Sequence, residues 1–231
     1  MANPSIKTQD SFDLDDEFRQ MCLRYAEFLA EEGTRARPFK DPSLPFFTGL
    51  SPDKKVQAIE KMRYALEVFE ETRAEGFRLK DSPKLIWRSL RKLGWTPPSD
   101  IFDKMGDDDV IAIYDVEHTH VFQNLCFFDW ISFSLEELYS TPFYRYARRE
   151  VWAAEAAYKL AVETVSGEHP VTYVPDIKEH YVEEVGTEEL LKFYLRYKCI
   201  SPIRSGGKIV GSLVVAAFRK WDGIPCAGPL V

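Results

Sequence analysis

KCISPIRSGGKIVGSLVVAAF at residues 198–218, and the apolar run at 110–114 that leads into HTHVFQN at 118–124, are the clearest strand signals of the chain. Both are rich in β-branched and other apolar residues, which favour strands. The glycine pair at 206–207 is typical of a hairpin turn, and a second turn is expected near Glu117. We predict that the two stretches form two edges of one small antiparallel sheet, with helices packed between them.

Helical patterns precede the sheet. Apolar residues recur every three to four positions at 13–32, and Ser-Pro pairs start two further helices, at 51–75 and 83–93. The segment 37–49 has three prolines and three phenylalanines, so we expect it to lie against a surface without forming a helix. TPPSD at 96–100 marks a boundary, which predicts a helical region at 1–98 and a second domain at 99–231.

The second domain returns to helices before the chain ends in strands. Ser134 and Glu137 have the spacing of a capping box, and a longer helix is expected at 149–165, ended by Gly167. Strand patterns follow at 171–185, 191–203 and 208–218. The predicted fold class is α+β, with a helical N-terminal region followed by a five-stranded antiparallel sheet and its flanking helices.

Composition and charge narrow the possible partners. The 231 residues are 45% hydrophobic and include 37 acidic and 30 basic residues, for a formal charge of −7. A net anion has little non-specific affinity for nucleic acid, so binding to nucleic acid is not expected. No apolar run is long enough to cross a membrane and no secretory signal is visible, which predicts a cytoplasmic protein without membrane contact. The four cysteines lack metal-site spacing, and we predict an exposed thiol at Cys226.

The order strand, strand, several short helices and three strands resembles a PAS domain. VIAIYD at 110–115 and HVFQN at 120–124 resemble the opening strand pair of that family, SLEELYSTPFY at 134–144 resembles its capped helix, and SPIRSGGKIVGSLVV at 201–215 resembles its terminal hairpin. The resemblance implies a sensory module with a pocket between helices and sheet. A GAF domain stays the near alternative, because residues 168–191 exceed what a minimal PAS fold needs.

Basic and aromatic residues near the expected pocket are candidates for ligand binding. The arginines could pair with a carboxylate or a phosphate, and aromatic residues with polar ends could line the pocket. The predicted ligand-binding residues are Tyr144, Arg145, Tyr146, Arg148, Arg149, Trp152, Tyr194 and Tyr197.

Other reactive residues have simpler interpretations. His118 and His120 could begin a metal site with Glu117, but we favour a solvated turn. Cys126 resembles the flavin-reactive cysteine of light-sensing PAS members, yet it falls too early in the chain. No catalytic motif is present, so no catalytic residue, metal or particular cofactor is predicted.

We therefore predict a non-catalytic signalling module that binds a small molecule, a partner protein or both. The helix at 51–75 is the expected partner or homodimer surface. Two alternatives stay open: a small-molecule enzyme that uses the arginines and tyrosines as its site, and a DNA-binding regulator that uses the basic helix at 83–93.

Overall fold

A computed structural model of the protein describes residues 7–186, 189–223 and 228–231; Cys226 lies outside these ranges. The predicted class is confirmed, because an N-terminal helical region precedes an antiparallel sheet with further helices. The helices in the described ranges are α1 (Lys7–Glu31), α2 (Pro45–Thr48), α3 (Pro52–Ala74), α4 (Ser82–Leu93), α5 (Leu125–Phe128), α6 (Leu135–Ser140) and α7 (Val151–Ser166).

Local signals set several of the helix ends. The Ser134 hydroxyl accepts a hydrogen bond from the amide of Glu137, and the Glu137 carboxylate accepts one from the amide of Ser134, so the predicted capping box begins α6. Gly167 ends α7 in a left-handed conformation, as expected. The cap of α4 is Asp81, one residue before the predicted Ser-Pro start, and its carboxylate accepts from the amide of Lys84 at 3.2 Å.

The sheet has six strands in the described ranges, one more than predicted. They are β1 (Val110–Asp115), β2 (His120–Gln123), β3 (Ala147–Arg149), β4 (His180–Glu184), β5 (Lys192–Ser205) and β6 (Lys208–Lys220). Their order is β2-β1-β6-β5-β4-β3, and all neighbours are antiparallel. The prediction that residues 110–124 and 198–218 form two edges of the sheet is wrong, because β1 pairs directly with β6 inside the sheet.

Two further differences between the predicted and the observed elements involve the additional strand β3 and the strand predicted at 171–185. Residues 147–149 pair with β4, and the backbone of Arg149 also exchanges two hydrogen bonds with Val231, so the predicted helix at 149–165 begins two residues late. The predicted strand at 171–185 is regular only from His180. Pro175 cannot donate a ladder hydrogen bond, and within residues 171–179, all of them described, Tyr173 alone bridges to the sheet.

Both faces of the central strands are buried. Successive side chains of a strand point to opposite faces. On β1 and β6, one set of residues faces a cavity, whereas Ile111, Ile113, Leu213 and Val215 are fully buried on the other face. These four residues share one apolar core with residues of α1, α3 and α4. The N-terminal helices therefore supply part of the core of the sheet.

The segment 37–49 lies against the core, as expected, but it contains a short helix. The ring of Phe47 in α2 stacks on that of Phe18 with centroids 3.8 Å apart, and Leu44 is fully buried. A proline is tolerated in the first turn of a helix, which is where Pro45 stands. The backbone of residues 37–38 also accepts hydrogen bonds from the first two amides of α6.

Helix α3 uses its apolar face inside the chain. Its buried residues include Ile59, Met62, Leu66 and Phe69, all part of the shared core, and Val56 is left 40% exposed. This burial gives no support to the prediction that the helix at 51–75 is a partner or dimer surface.

Strands β1 and β6 approach each other closely at Gly211. A Cβ added at Gly211 would lie 2.1 Å from the carbonyl oxygen of Tyr114. We expect Gly211→Ala to push the two strands apart and to lower the free energy of unfolding by about 1 to 3 kcal/mol. Urea denaturation measures this loss. Gly49→Ala is the matched control, since its Cβ would make only ordinary contacts of 3.6 Å or more; equal stability of both variants would contradict the strand spacing.

Candidate ligand cavity

A largely apolar cavity lies between one face of the sheet and the helices that follow β2. It has a volume of about 100 Å³. On β1 and β6 its lining residues alternate with the buried residues of the opposite face, as the period of a strand requires. The strands contribute Val110, Ala112, Tyr114, Val182, Phe193, Leu195, Ile200, Val214, Ala216 and Phe218, and the helical side contributes Phe127, Phe143, Ala157, Leu160 and Ala161.

His120 is the most unusual residue of the cavity wall. Its side chain is 1% exposed, and neither ring nitrogen has a hydrogen-bond partner. Rings surround it, with centroid distances of 4.5 Å to Tyr114, 5.0 Å to Phe127 and 5.6 Å to Tyr146. Burial, with a smaller effect from the charge of Lys61, lowers the pKa of His120 to about 3. The imidazole is therefore neutral near pH 7, with one donor and one acceptor nitrogen unused.

Arg149 brings a positive charge to the same wall. It is the last residue of β3, which turns its side chain toward the cavity. One guanidinium nitrogen donates to the hydroxyl of Tyr197 at 2.5 Å. No side-chain carboxylate in the described ranges forms an ion pair with Arg149. Most of its donors are therefore still available.

Tyr114 lies near both groups. Besides its contact with His120, it lies half-buried near the end of β1 on the cavity face. Burial raises the pKa of its hydroxyl well above the usual value, a nearby Tyr197 adds to this effect, and the positive charge of Arg149 opposes it. His120, Tyr114, Arg149 and Tyr197 thus form a polar group in a mostly apolar wall, hereafter called the polar cluster.

One carboxylate also lines the cavity, but it is held by neighbouring groups. Glu184 is 1% exposed, and its oxygens accept hydrogen bonds from the amide of Ser132 at 2.8 Å, from the Ser132 hydroxyl, and from the amide of Leu191 at 3.2 Å. These bonds stabilise the loop before α6, which closes one side of the cavity. Glu184 is consequently a structural carboxylate of the wall.

His180 is a second buried histidine, on β4. It is 1% exposed, its Nε2 has no partner, and its ring lies 5.7 Å from that of Trp152 and 6.0 Å from that of Tyr197. Burial lowers its pKa to about 4, and the charge of Arg149 contributes. It does not line the cavity and lies behind Tyr197.

The structure brings three of the eight predicted ligand-binding residues into the cavity wall: Tyr146, Arg149 and Tyr197. The other five lie elsewhere. Tyr144, Arg145, Arg148 and Trp152 are exposed, and the hydroxyl of Tyr194 donates to Asp222 outside the cavity. The prediction omitted His120, Tyr114 and Glu184. Alternation along VIAIYD and HVFQ could have indicated Tyr114 and His120.

The interpretation of residues 117–120 as a solvated turn holds for only part of the segment. Asp115 organises the turn by accepting from the amides of Glu117 and Thr119, and Lys61 of α3 pairs with its carboxylate. His120, however, points into the core. No group of three metal-binding side chains occurs in the part of the chain that the structure describes.

Cys126 is not placed as a flavin-reactive thiol would be. It lies outside the cavity wall, and its sulfur donates to the carbonyl oxygen of Asp108 at 3.3 Å. Burial is the largest of the effects that raise the pKa of this thiol to about 11, so the reactive thiolate is scarce at neutral pH.

The basic helix of the DNA-binding alternative is partly neutralised within the chain. Arg88 pairs with Glu75 at 2.5 Å, and Lys92 pairs with Glu71 at 2.5 Å and Glu67 at 3.0 Å. Arg88 and Lys92 therefore form ion pairs with carboxylates on α3 or just after its end. This geometry favours packing of α4 against α3 over contact with phosphates.

Comparison with protein-family models, with curated proteins and with solved structures gave no match. Within the described ranges, none of the helices combines the length and the apolar character needed to span a bilayer.

Proposed function

We propose that this protein is a non-catalytic sensory module that resembles a PAS domain and binds a small molecule in the cavity described above. The order of its elements supports the proposal: two strands, short helices, a longer helix and three strands, with β3 added at one edge. A GAF domain stays the alternative.

The observation that carries the proposal is the polar cluster in a buried apolar wall. Pockets for small molecules are mostly apolar and contain a few polar groups that orient the ligand. Both nitrogens of His120 lack partners, although a buried polar atom without a hydrogen bond costs about 1 to 3 kcal/mol. A ligand that bonds to His120 would offset that cost.

The volume limits the ligand. A dry cavity of about 150 Å³ can hold benzene, so a site of about 100 Å³ takes a molecule no larger than benzene, with at most about six non-hydrogen atoms, without moving its walls. A flavin or haem would require the helices to move away from the sheet.

The elements around the cavity offer a route for a signal to a partner. Helix α7 covers the cavity with Ala157 and Leu160 and exposes Trp152 and Tyr158 on its outer side. We place the predicted partner contact on α7, since α3 is used in the core. The homodimer and the cytoplasmic location stay predictions from the sequence.

Filling the cavity tests the proposal. We expect Ala157→Phe to abolish binding of small molecules, because the added ring would occupy most of the free volume; Ala156→Phe, on the same helix but outside the cavity wall, is the matched control. Ligand-detected NMR with a library of small fragments, together with native mass spectrometry of the purified protein, measures binding.

The proposal predicts fragments that bind to the wild type and to Ala156→Phe and that fail to bind to Ala157→Phe. Binding that is unchanged in Ala157→Phe would place the ligands elsewhere. The absence of any ligand in all three proteins would contradict a small-molecule sensor.

A further inference from the structure

Arg149 places a positive charge in the wall of the cavity. Its guanidinium lines a mostly apolar wall and its hydrogen bond to Tyr197 is to a neutral group. The acidic group in the same wall, Glu184, is occupied by Ser132 and Leu191. The Arg149 side chain is half-buried, and a bound anion would stabilise a charge that is partly removed from water without a counter-charge.

The other members of the polar cluster suit the same anion. The neutral imidazole of His120 can donate one hydrogen bond, and the hydroxyl of Tyr114 makes none within the described ranges. Arginine can hold a carboxylate by two parallel hydrogen bonds, and the Tyr197 hydroxyl keeps the guanidinium in place. The cluster thus combines one fixed positive charge with neutral donors.

The rest of the wall determines the body of the ligand. Apart from the polar cluster, Glu184 and Ser212, the cavity is lined mainly by aliphatic and aromatic residues, among them Val110, Leu160, Leu195 and Val214. A second negative charge on the ligand would have no positively charged partner there. The free volume favours a short chain.

We propose that the ligand is a short-chain aliphatic monocarboxylate, an inference that rests on the proposed function. Its carboxylate binds Arg149, His120 and Tyr114, and its hydrocarbon chain fills the cavity between α7 and the sheet. Arg149 is a specificity-determining residue in this arrangement. The site would reject the corresponding amines, because their positive charge would face the guanidinium.

The test uses carboxylates of about two to six carbons, with the amide of each acid as the uncharged control of the same shape. Titrations followed by ¹H–¹⁵N NMR of the full chain at neutral pH measure the Kd. We expect butyrate to bind the wild type at least about tenfold more tightly than butyramide, since charge-assisted hydrogen bonds are stronger than neutral ones.

Two substitutions at Arg149 separate charge from structure. Arg149→Met should weaken butyrate at least about tenfold and leave butyramide within about twofold, whereas Arg149→Lys should retain a preference for the acid. The amide spectrum of each variant verifies its fold. Equal binding of acid and amide to the wild type would overturn the carboxylate proposal and leave the small-molecule sensor intact.

The Ala157→Phe variant distinguishes binding of the acid inside the cavity from binding elsewhere on the protein. Acid binding that survives in Ala157→Phe is binding outside the cavity and overturns the proposal. Failure of the whole acid series to bind the wild type also overturns it, and the fragment library then decides separately whether the cavity binds any small molecule.

Discussion

A chain that begins at residue 99 is expected to lose its folded structure. The sheet has two buried faces, and the face opposite the cavity is part of a core that includes α1, α3 and α4. The ring of Phe122 on β2 lies 5.1 Å from that of Phe69, and Tyr25 lies 6.2 Å from Phe128. Removal of residues 1–98 would expose these apolar surfaces, at about 25 cal/mol per Å².

Hydrogen bonds between residues 1–98 and residues 99–231 add to the expected loss of stability. The side chain of Asn124, fully buried, donates to the Ser82 hydroxyl at 2.8 Å and accepts from the amide of Ile111 at 3.0 Å. Glu136, also fully buried, accepts from the amides of Phe46 and Phe47. Without the N-terminal region, Asn124 would lose Ser82 and Glu136 would lose the amides of Phe46 and Phe47, and unpaired buried polar groups are destabilising.

Circular dichroism and NMR of the fragment 99–231 measure the outcome, and the full chain is the reference. We expect a fragment without cooperative unfolding, and co-expression of residues 1–98 as a separate chain should restore structure because the interface is large and apolar. A fragment that unfolds cooperatively with dispersed amide signals would instead support the domain boundary predicted at 96–100.

The elements of this fold could be predicted wherever a local signal sets them. The hairpin at 205–207, the capping box of Ser134 and Glu137 and the strand pair around Glu117 are all determined by neighbouring residues. The pairing of β1 with β6 could not be predicted in this way. It joins residues about 100 positions apart, and the buried surface of the whole sheet selects it.

The cavity was only partly predictable for a related reason. The residues at 143–149 were predicted to be helical, which placed Arg145, Arg148 and Arg149 in one group. In the structure residues 147–149 form β3, and successive side chains of a strand point to opposite faces. This turns Arg149 inward and leaves Arg148 exposed. His120 was missed because the polar residues before it indicate a turn, and only the packing of the finished sheet places its ring among aromatic side chains.

Replacing His120 by phenylalanine is expected to make the protein more resistant to acid. The folded-state pKa of His120 is about 3, below the value of about 6.5 for an unfolded chain. The unfolded state therefore binds a proton that the folded state does not, and the wild type loses stability as the pH falls below about 6.5. Integrated to about pH 4, this loss is about 3 kcal/mol, and His120→Phe lacks it.

The charges around His120 do not change the sign of this effect. Lys61 opposes protonation of the ring, whereas Asp115 favours it, and burial exceeds both. The Tyr114 and Tyr146 hydroxyls remain protonated in this pH range, because burial raises their pKa values. Other groups that titrate in acid, such as His180, are present in both proteins and cancel in the comparison.

Urea denaturation of the wild type and His120→Phe at about pH 7 and about pH 4 measures the difference. Near neutrality we expect His120→Phe to be at least as stable as the wild type, because the substitution removes two buried nitrogens that lack partners. The same substitution should weaken butyrate binding, since it removes a donor from the polar cluster. If an NMR titration of the His120 ring in the folded wild type has its midpoint near 6, the imidazole is solvated, and both the acid sensitivity and its role as a neutral donor in the cavity are wrong.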